Sequence, residues 1–125
     1  MSAMLDLAQQ EIFARYKQPE YSGKLHNPDL VGEGVNQVCG DEVHLEVLLD
    51  SAGRITEMRH TCRACAICTA SADMLPQLVL GKIPSELAAI GTQEVSTLLQ
   101  IPLSPIRLKC ALLPLQTLQL AQKPN

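Results

Sequence analysis

Residues 60–75 read HTCRACAICTASADML, and three of the chain's five cysteines, Cys62, Cys65 and Cys68, are packed into this stretch. The small, alanine-rich run Ala66–Ala72 behind Cys65 reads as the start of a helix. Free backbone N–H groups and the positive end of the macrodipole lower a cysteine's pKa at such a place. The spacing therefore predicts thiolates available for metal or for sulfur chemistry. The other two cysteines stand in short motifs of their own, Val38-Cys39-Gly40-Asp41 and Arg107-Leu108-Lys109-Cys110.

Outward from this stretch, Leu5, Ala8, Ile12, Phe13 and Tyr16 fall at helical spacing and predict an amphipathic helix from about residue 4 to 16. Pro19, Ser22 and Gly23 end it, and loop continues through His26-Asn27-Pro28-Asp29. Leu30–Val38, punctuated by glycine, reads as an edge strand closing at Gly40. Val43, Leu45, Val47 and Leu49 alternate with mostly polar residues, the period of a half-buried strand. A turn at Ser51-Ala52-Gly53 returns the chain as Arg54–His60, giving an antiparallel hairpin. The cysteine-rich helix is expected from about 66 to 80, kinked by Pro76 and stopped by Gly81. Ile83–Ile90 and Gln93–Gln100 predict two short helices, and Ile101–Pro105 an extended connector. Arg107–Gln122 is apolar at helical intervals and interrupted by Pro114, with Lys123–Asn125 a frayed tail. The order describes an α+β fold, a small three-stranded antiparallel sheet packed with helices on one face.

The length of 125 residues fits a single domain, 1–125, with a real core, and an apolar fraction of 46% fits a globular chain. A formal net charge of −3 argues against nucleic acid, as does the scarcity of aromatic side chains (Phe13, Tyr16 and Tyr21). The first residues carry acid early and lack an unbroken apolar run, so no signal peptide is expected, and no window has the length of a membrane span. Five cysteines in such a chain suggest a reducing, cytoplasmic compartment.

A site assembled from Cys39, Asp41, Cys65 and Cys110 would offer three soft thiolates and one hard carboxylate, with Gly40 letting Cys39 and Asp41 point to the same side. Zinc tolerates that set in tetrahedral geometry. An iron–sulfur cluster accepts it too, with the carboxylate a weak fourth ligand. The spacing Cys62-x-x-Cys65-x-x-Cys68 also suggests half of a ferredoxin motif, but Cys110 is too far away to complete it. His26, His44 and His60 are separated and read as ordinary surface or core residues. Arg107 and Lys109 either lower the Cys110 pKa or are simply solvated.

These motifs together resemble the NifU/IscU-type (SufU-like) iron–sulfur cluster assembly scaffold family. Cys39-Gly40-Asp41 matches its CGD triplet. Cys65 with Ala70-Ser71-Ala72 matches its second cysteine and following helix, Gly81-Lys82 the GK that closes it, and Leu108-Lys109-Cys110 its third cysteine. The segment Ala14–Leu25, ARYKQPEYSGKL, is similar to the family's early segment, with Arg15 in place of a histidine.

The resemblance implies that Cys39, Asp41, Cys65 and Cys110 hold a transient 2Fe–2S cluster, or zinc when no cluster is present. It also implies a cysteine desulfurase as sulfur source, apo iron–sulfur proteins as recipients, and an Hsp70-type chaperone at Leu103–Arg107. Lys109, where the best-known branch has histidine, resembles instead a zinc-dependent sulfurtransferase branch, in which Cys110 would be the persulfide acceptor. That branch has an insertion between the second and third cysteines which this chain is too short to hold. Cys62 and Cys68 are extra to the family's three. They are either small space-fillers or, on a sharper reading, carriers of persulfide sulfur or ligands of an alternative cluster.

Overall fold

The structure, a computed structural model, describes residues 2–124, the side chain of Ser2 excepted. Its elements are α1 (Ser2–Lys17), β1 (Leu30–Asn36), β2 (Asp41–Leu49), β3 (Ile55–Arg63), α2 (Ala66–Met74), α3 (Pro76–Val79), a 3₁₀ turn (Pro84–Ala89), α4 (Thr92–Leu99) and α5 (Pro105–Gln119). The sheet is antiparallel throughout, in the order β1-β2-β3. This is the α+β arrangement expected from the sequence.

The alternation in β2 sets the layering. Val43, Leu45 and Val47 point to the helices and are buried, and Ile55 and Met58 of β3 join them. Burying each such side chain stabilises the fold by about 2 kcal/mol. α2 and α5 lie together on this face, α2 against β3 and α5 against β1 and β2. Close approach of α5 to β1 requires glycine. A Cβ on Gly32 would lie 2.6 Å from the backbone oxygen of Thr117, and one on Gly34 would meet the Thr117 hydroxyl. Both sheet edges are partly covered, by Tyr21–Gly23 pairing with His60 of β3 and by Gln122 bridging Val31 of β1.

Several local expectations need correction. The helix predicted over 66–80 is split, as Pro76 demands. α2 ends at Met74, and α3 starts on the proline and closes at Val79 before Gly81 at φ +88°. Ile83–Ile90 forms a 3₁₀ turn rather than an α-helix. Pro114 does not interrupt α5, which runs from 105 to 119. The proline removes only the N–H that would have bonded the Cys110 carbonyl, and it is itself buried in a helix held by its packing on α2, β1 and β2.

The apolar face of α1 is also narrower than predicted. Ala8 and Ile12 are buried, while Phe13 and Tyr16 are 55% and 44% exposed, the former under the Lys17 ammonium at 5.0 Å. Lys123 and Pro124 follow Gln122 without regular structure, and Asn125 of the expected tail lies outside the described residues. Among the described residues no helix is long and apolar enough to cross a membrane.

Gly32→Ala should destabilise the protein by about 1–3 kcal/mol, because the obstacle is α5 backbone and cannot rotate away. Urea unfolding of the variant against the parent measures this directly.

Candidate functional site

Three segments deliver the four expected residues to one end of the sheet–helix sandwich. Cys39 is exposed on the turn between β1 and β2. Gly40 follows at φ +73°, a conformation that L side chains rarely adopt, and turns the chain so that Asp41 opens β2 facing inward. Cys65 is the N-cap of α2, its sulfur accepting the Cys68 N–H at 3.4 Å. Cys110 lies in the second turn of α5, whose first turn is capped by Ser104.

The four converge. The Cys39 and Cys110 sulfurs are 3.1 Å apart, and these two with an Asp41 carboxylate oxygen lie within 4.8 Å of one another. Asp41 is fully buried. One oxygen accepts the Cys65 N–H at 2.9 Å, and the other lies 3.9 Å from the Cys65 sulfur. The positive end of α2 thus faces a carboxylate ringed by three thiols. Burial first, then contacts with Cys39 and Asp41, pushes the Cys110 thiol upward. A divalent cation would reverse that preference by displacing the protons. Three sulfurs and one oxygen around such a cation match a tetrahedral zinc set. Lys109 and Arg107 are solvent-exposed, and the contacts that act on the Cys110 thiol come from Cys39 and Asp41. Asn36, which the sequence did not flag, donates its amide to the Cys110 sulfur at 3.8 Å.

The profile of the family described as NifU-like N terminal domain matches residues 7–123. The chain belongs to that NifU-like family. It is 27% identical over 107 residues to the iron–sulfur cluster assembly scaffold protein IscU of Escherichia coli K12, covering 83% of this chain and 82% of that one. Over 87 residues, 70% of this chain, it is 31% identical to the bifunctional protein NifU/MnmA of Rubrobacter xylanophilus, but it spans only 18% of that longer protein. Among solved structures, one described as an iron–sulfur cluster assembly scaffold protein for the SUF system, from Fervidobacterium islandicum AW-1, superposes with a TM-score of 0.73 at 28% identity. It covers 90% of this chain and 93% of its own. A NifU-like protein from Brucella abortus, at 22% identity and a TM-score of 0.68, shares the fold over 93% and 92% of the two chains.

Within this NifU-like frame the two extra cysteines part company. Cys62 is not at the helix start but on β3, opposite Val43. Cys68 is in the first turn of α2 yet fully buried in the core, so it does not share an open face with Cys65. Neither is the thiolate expected from the sequence. Burial, followed by the charges of Asp73 and Asp41, pushes Cys62 up to about 12, and burial likewise raises Cys68.

Sequence reading also missed a buried ionic cluster behind the thiols. Asp73 and His60 are 0% and 1% exposed. His60 Nε2 lies 2.9 Å from Asp73 Oδ1, Arg15 donates to Oδ2 at 3.0 Å, and the N–H groups of Tyr21 and Glu20 donate to the two oxygens. The available signal was an aspartate in an otherwise small and apolar helix, which must find partners if that helix is buried.

Burial alone would raise the Asp73 carboxyl. The bonds from His60, Glu20, Tyr21 and Arg15 outweigh it and bring the group from 3.8 down to about 2. A carboxyl lowered in the folded state stabilises the protein above its unfolded pKa and loses that contribution as pH falls through the folded one. Acid titration should therefore remove about 2 kcal/mol between roughly pH 4 and pH 2. Asp73→Asn should lack this acid-dependent component while being less stable at neutral pH, as followed by circular dichroism.

Proposed function

We propose that this NifU-like chain is an iron–sulfur cluster assembly scaffold that builds a 2Fe–2S cluster on Cys39, Cys65 and Cys110 with Asp41 and passes it to apo iron–sulfur proteins. The observation that carries this reading is the approach of three thiols and a buried carboxylate from three separate segments. The cluster is cargo here, so a fourth ligand that iron holds weakly is an asset, and Asp41 supplies it. Zinc occupies the same residues in the cluster-free form. Sulfur comes from a cysteine desulfurase as persulfide. An Hsp70-type chaperone reads Leu103–Arg107, where Ile106 is 59% exposed. The work takes place in the cytoplasm.

The names of the similar proteins support this reading, since the E. coli and F. islandicum relatives are both described as assembly scaffolds. The zinc-dependent sulfurtransferase is not favoured. It would make Cys110 the thiol that meets an incoming persulfide, yet Cys110 is buried in the core and only 3% exposed.

Anaerobic reconstitution with ferrous iron, cysteine and a desulfurase should give a coloured protein carrying iron and sulfide that activates an apo-ferredoxin. Cys39→Ala should retain less iron by a factor of at least roughly 10, the smallest loss usual for disturbing even an outer-shell group. A colourless product that keeps zinc and accelerates sulfur release would overturn the scaffold assignment.

A further inference from the structure

Cys62 belongs to none of the groups above. It lines an open groove of about 530 Å³ together with Tyr16, Pro19, Ser22, His60 and Arg63. Its sulfur lies 3.5 Å from His60 Nδ1, and the other ring nitrogen of His60 lies 2.9 Å from Asp73. Asp73 is held as a carboxylate by Arg15 and two backbone N–H groups, so His60 Nε2 must be its donor. In neutral imidazole the remaining nitrogen is then a bare lone pair, and it faces the thiol. A nucleophile, a base and a group that orients the base stand in line, with the nucleophile at the wall of a groove.

We propose that Cys62 is a second sulfur-handling thiol of this protein, one that takes sulfane sulfur from a persulfide using His60 as proton acceptor and Asp73 as the group that positions it. The proposal rests on the scaffold reading for its choice of electrophile, because persulfide is the sulfur carrier such a protein meets.

In the step, Cys62 Sγ attacks the outer sulfur of a donor R–S–SH. A new S–S bond forms on Cys62, and the donor's S–S bond breaks. The Cys62 proton passes to His60 Nδ1, where Asp73 offsets the imidazolium charge. The departing R–S⁻ then takes that proton, leaving R–SH and a persulfide on Cys62. The sulfur changes carrier with no external oxidant or reductant. Burial and the charges of Asp73 and Asp41 hold the thiol in its protonated form at rest, so the step needs the base that His60 provides. From β3 the chain reaches Cys65 in three residues, so the two Cα atoms are at most about 11 Å apart. Sulfur landed on Cys62 is therefore close to the thiols that would use it.

The test is residue-resolved mass spectrometry of the reduced full chain after brief anaerobic exposure to glutathione persulfide, and separately to a desulfurase with cysteine. Cys62 should gain the mass of one sulfur from at least one donor, and the faster donor identifies the source. His60→Gln, which keeps a side chain able to bond Asp73 but is no base, should slow that gain by at least roughly 10-fold, the low end of general-base contributions. The comparison is made at a temperature where circular dichroism shows the variant folded. Cys62→Ala, which leaves the ionic cluster intact, should lose the label and slow sulfide loading by the desulfurase.

A native chain that accepts sulfur on Cys39 or Cys65 while Cys62 stays unlabelled would overturn the proposal. So would an unchanged Cys62 rate in folded His60→Gln. Cluster reconstitution run in parallel separates the two ideas. A normal cluster with an inert Cys62 sinks this inference alone, whereas a labelled Cys62 in a chain that holds no iron sinks the scaffold reading and leaves the thiol site standing.

Discussion

The bond from the Cys65 N–H to the buried carboxylate of Asp41 decides where everything at this end of the molecule can be. Taking a carboxylate fully out of water costs several kcal/mol unless donors replace the lost hydration. Here the replacement is the N-terminus of α2, whose N–H groups and dipole suit negative charge. The start of β2 and the start of α2 are consequently locked together. Cys39 is carried along through the Gly40 turn, and Cys65 is placed as the cap. α5 is fastened to α2 by the Ser71 hydroxyl, which donates to the Ala111 carbonyl at 2.6 Å inside the core, next to Cys110. One buried charge thereby fixes the relative positions of three thiols that come from distant parts of the sequence.

The same helix is anchored at its far end by a second carboxylate. Eight of the nine residues of α2 are buried, so a charged residue on it has no solvent to reach. Asp73 in its last turn instead collects Arg15 from α1, the backbone of Glu20 and Tyr21, and His60 from β3. These bonds draw the loop after α1 against the sheet, where Tyr21 and Gly23 continue the pairing on the edge of β3 at His60. Asp41 organises the thiol end, and Asp73 organises the attachment of the N-terminal helix. The central helix carries both anchors, Asp41 bonded at its start and Asp73 in its last turn.

How much of this was legible in the sequence follows from the range of each interaction. The alternation of Val43, Leu45 and Val47 is a local pattern and placed β2 and its buried face. Pro76 and Gly81 are local punctuation: they marked a kink, which the structure turns into a full break, and the stop. Cys39-Gly40-Asp41 is a local motif and pointed to the site, although that Asp41 would be wholly buried was not readable from it. What escaped reading depends on contacts across the chain. Pro114 passes through α5 because packing overrides a weak propensity rule. Phe13 and Tyr16 stay largely exposed because α1 packs on α2 through its Ala8 and Ile12 side. Cys62 belongs to a strand that runs three residues longer than the hydrophobic pattern suggested. His60 read as ordinary because its partner lies thirteen residues on, in a different element.

The four converging residues are not equivalent, and the difference bears on how a scaffold could both hold and release its cargo. Cys39 and Cys65 are exposed, whereas Asp41 and Cys110 are buried. On the proposed reading, the outer pair would meet incoming iron and sulfide with little desolvation cost. The inner pair must give up protons or hydration and gains only once a cation is in place to compensate. On the proposed reading, loading proceeds from the solvent side inward. Release begins on the same side, with the thiols of a recipient replacing Cys39 and Cys65 first while Cys110 and Asp41 keep hold. Asp41, bonded to the Cys65 N–H through one oxygen, has a protein donor waiting when the metal departs, so the emptied site does not strand a buried charge. On that reading the weak ligand is also the one the fold can best satisfy without cargo, through the Cys65 N–H.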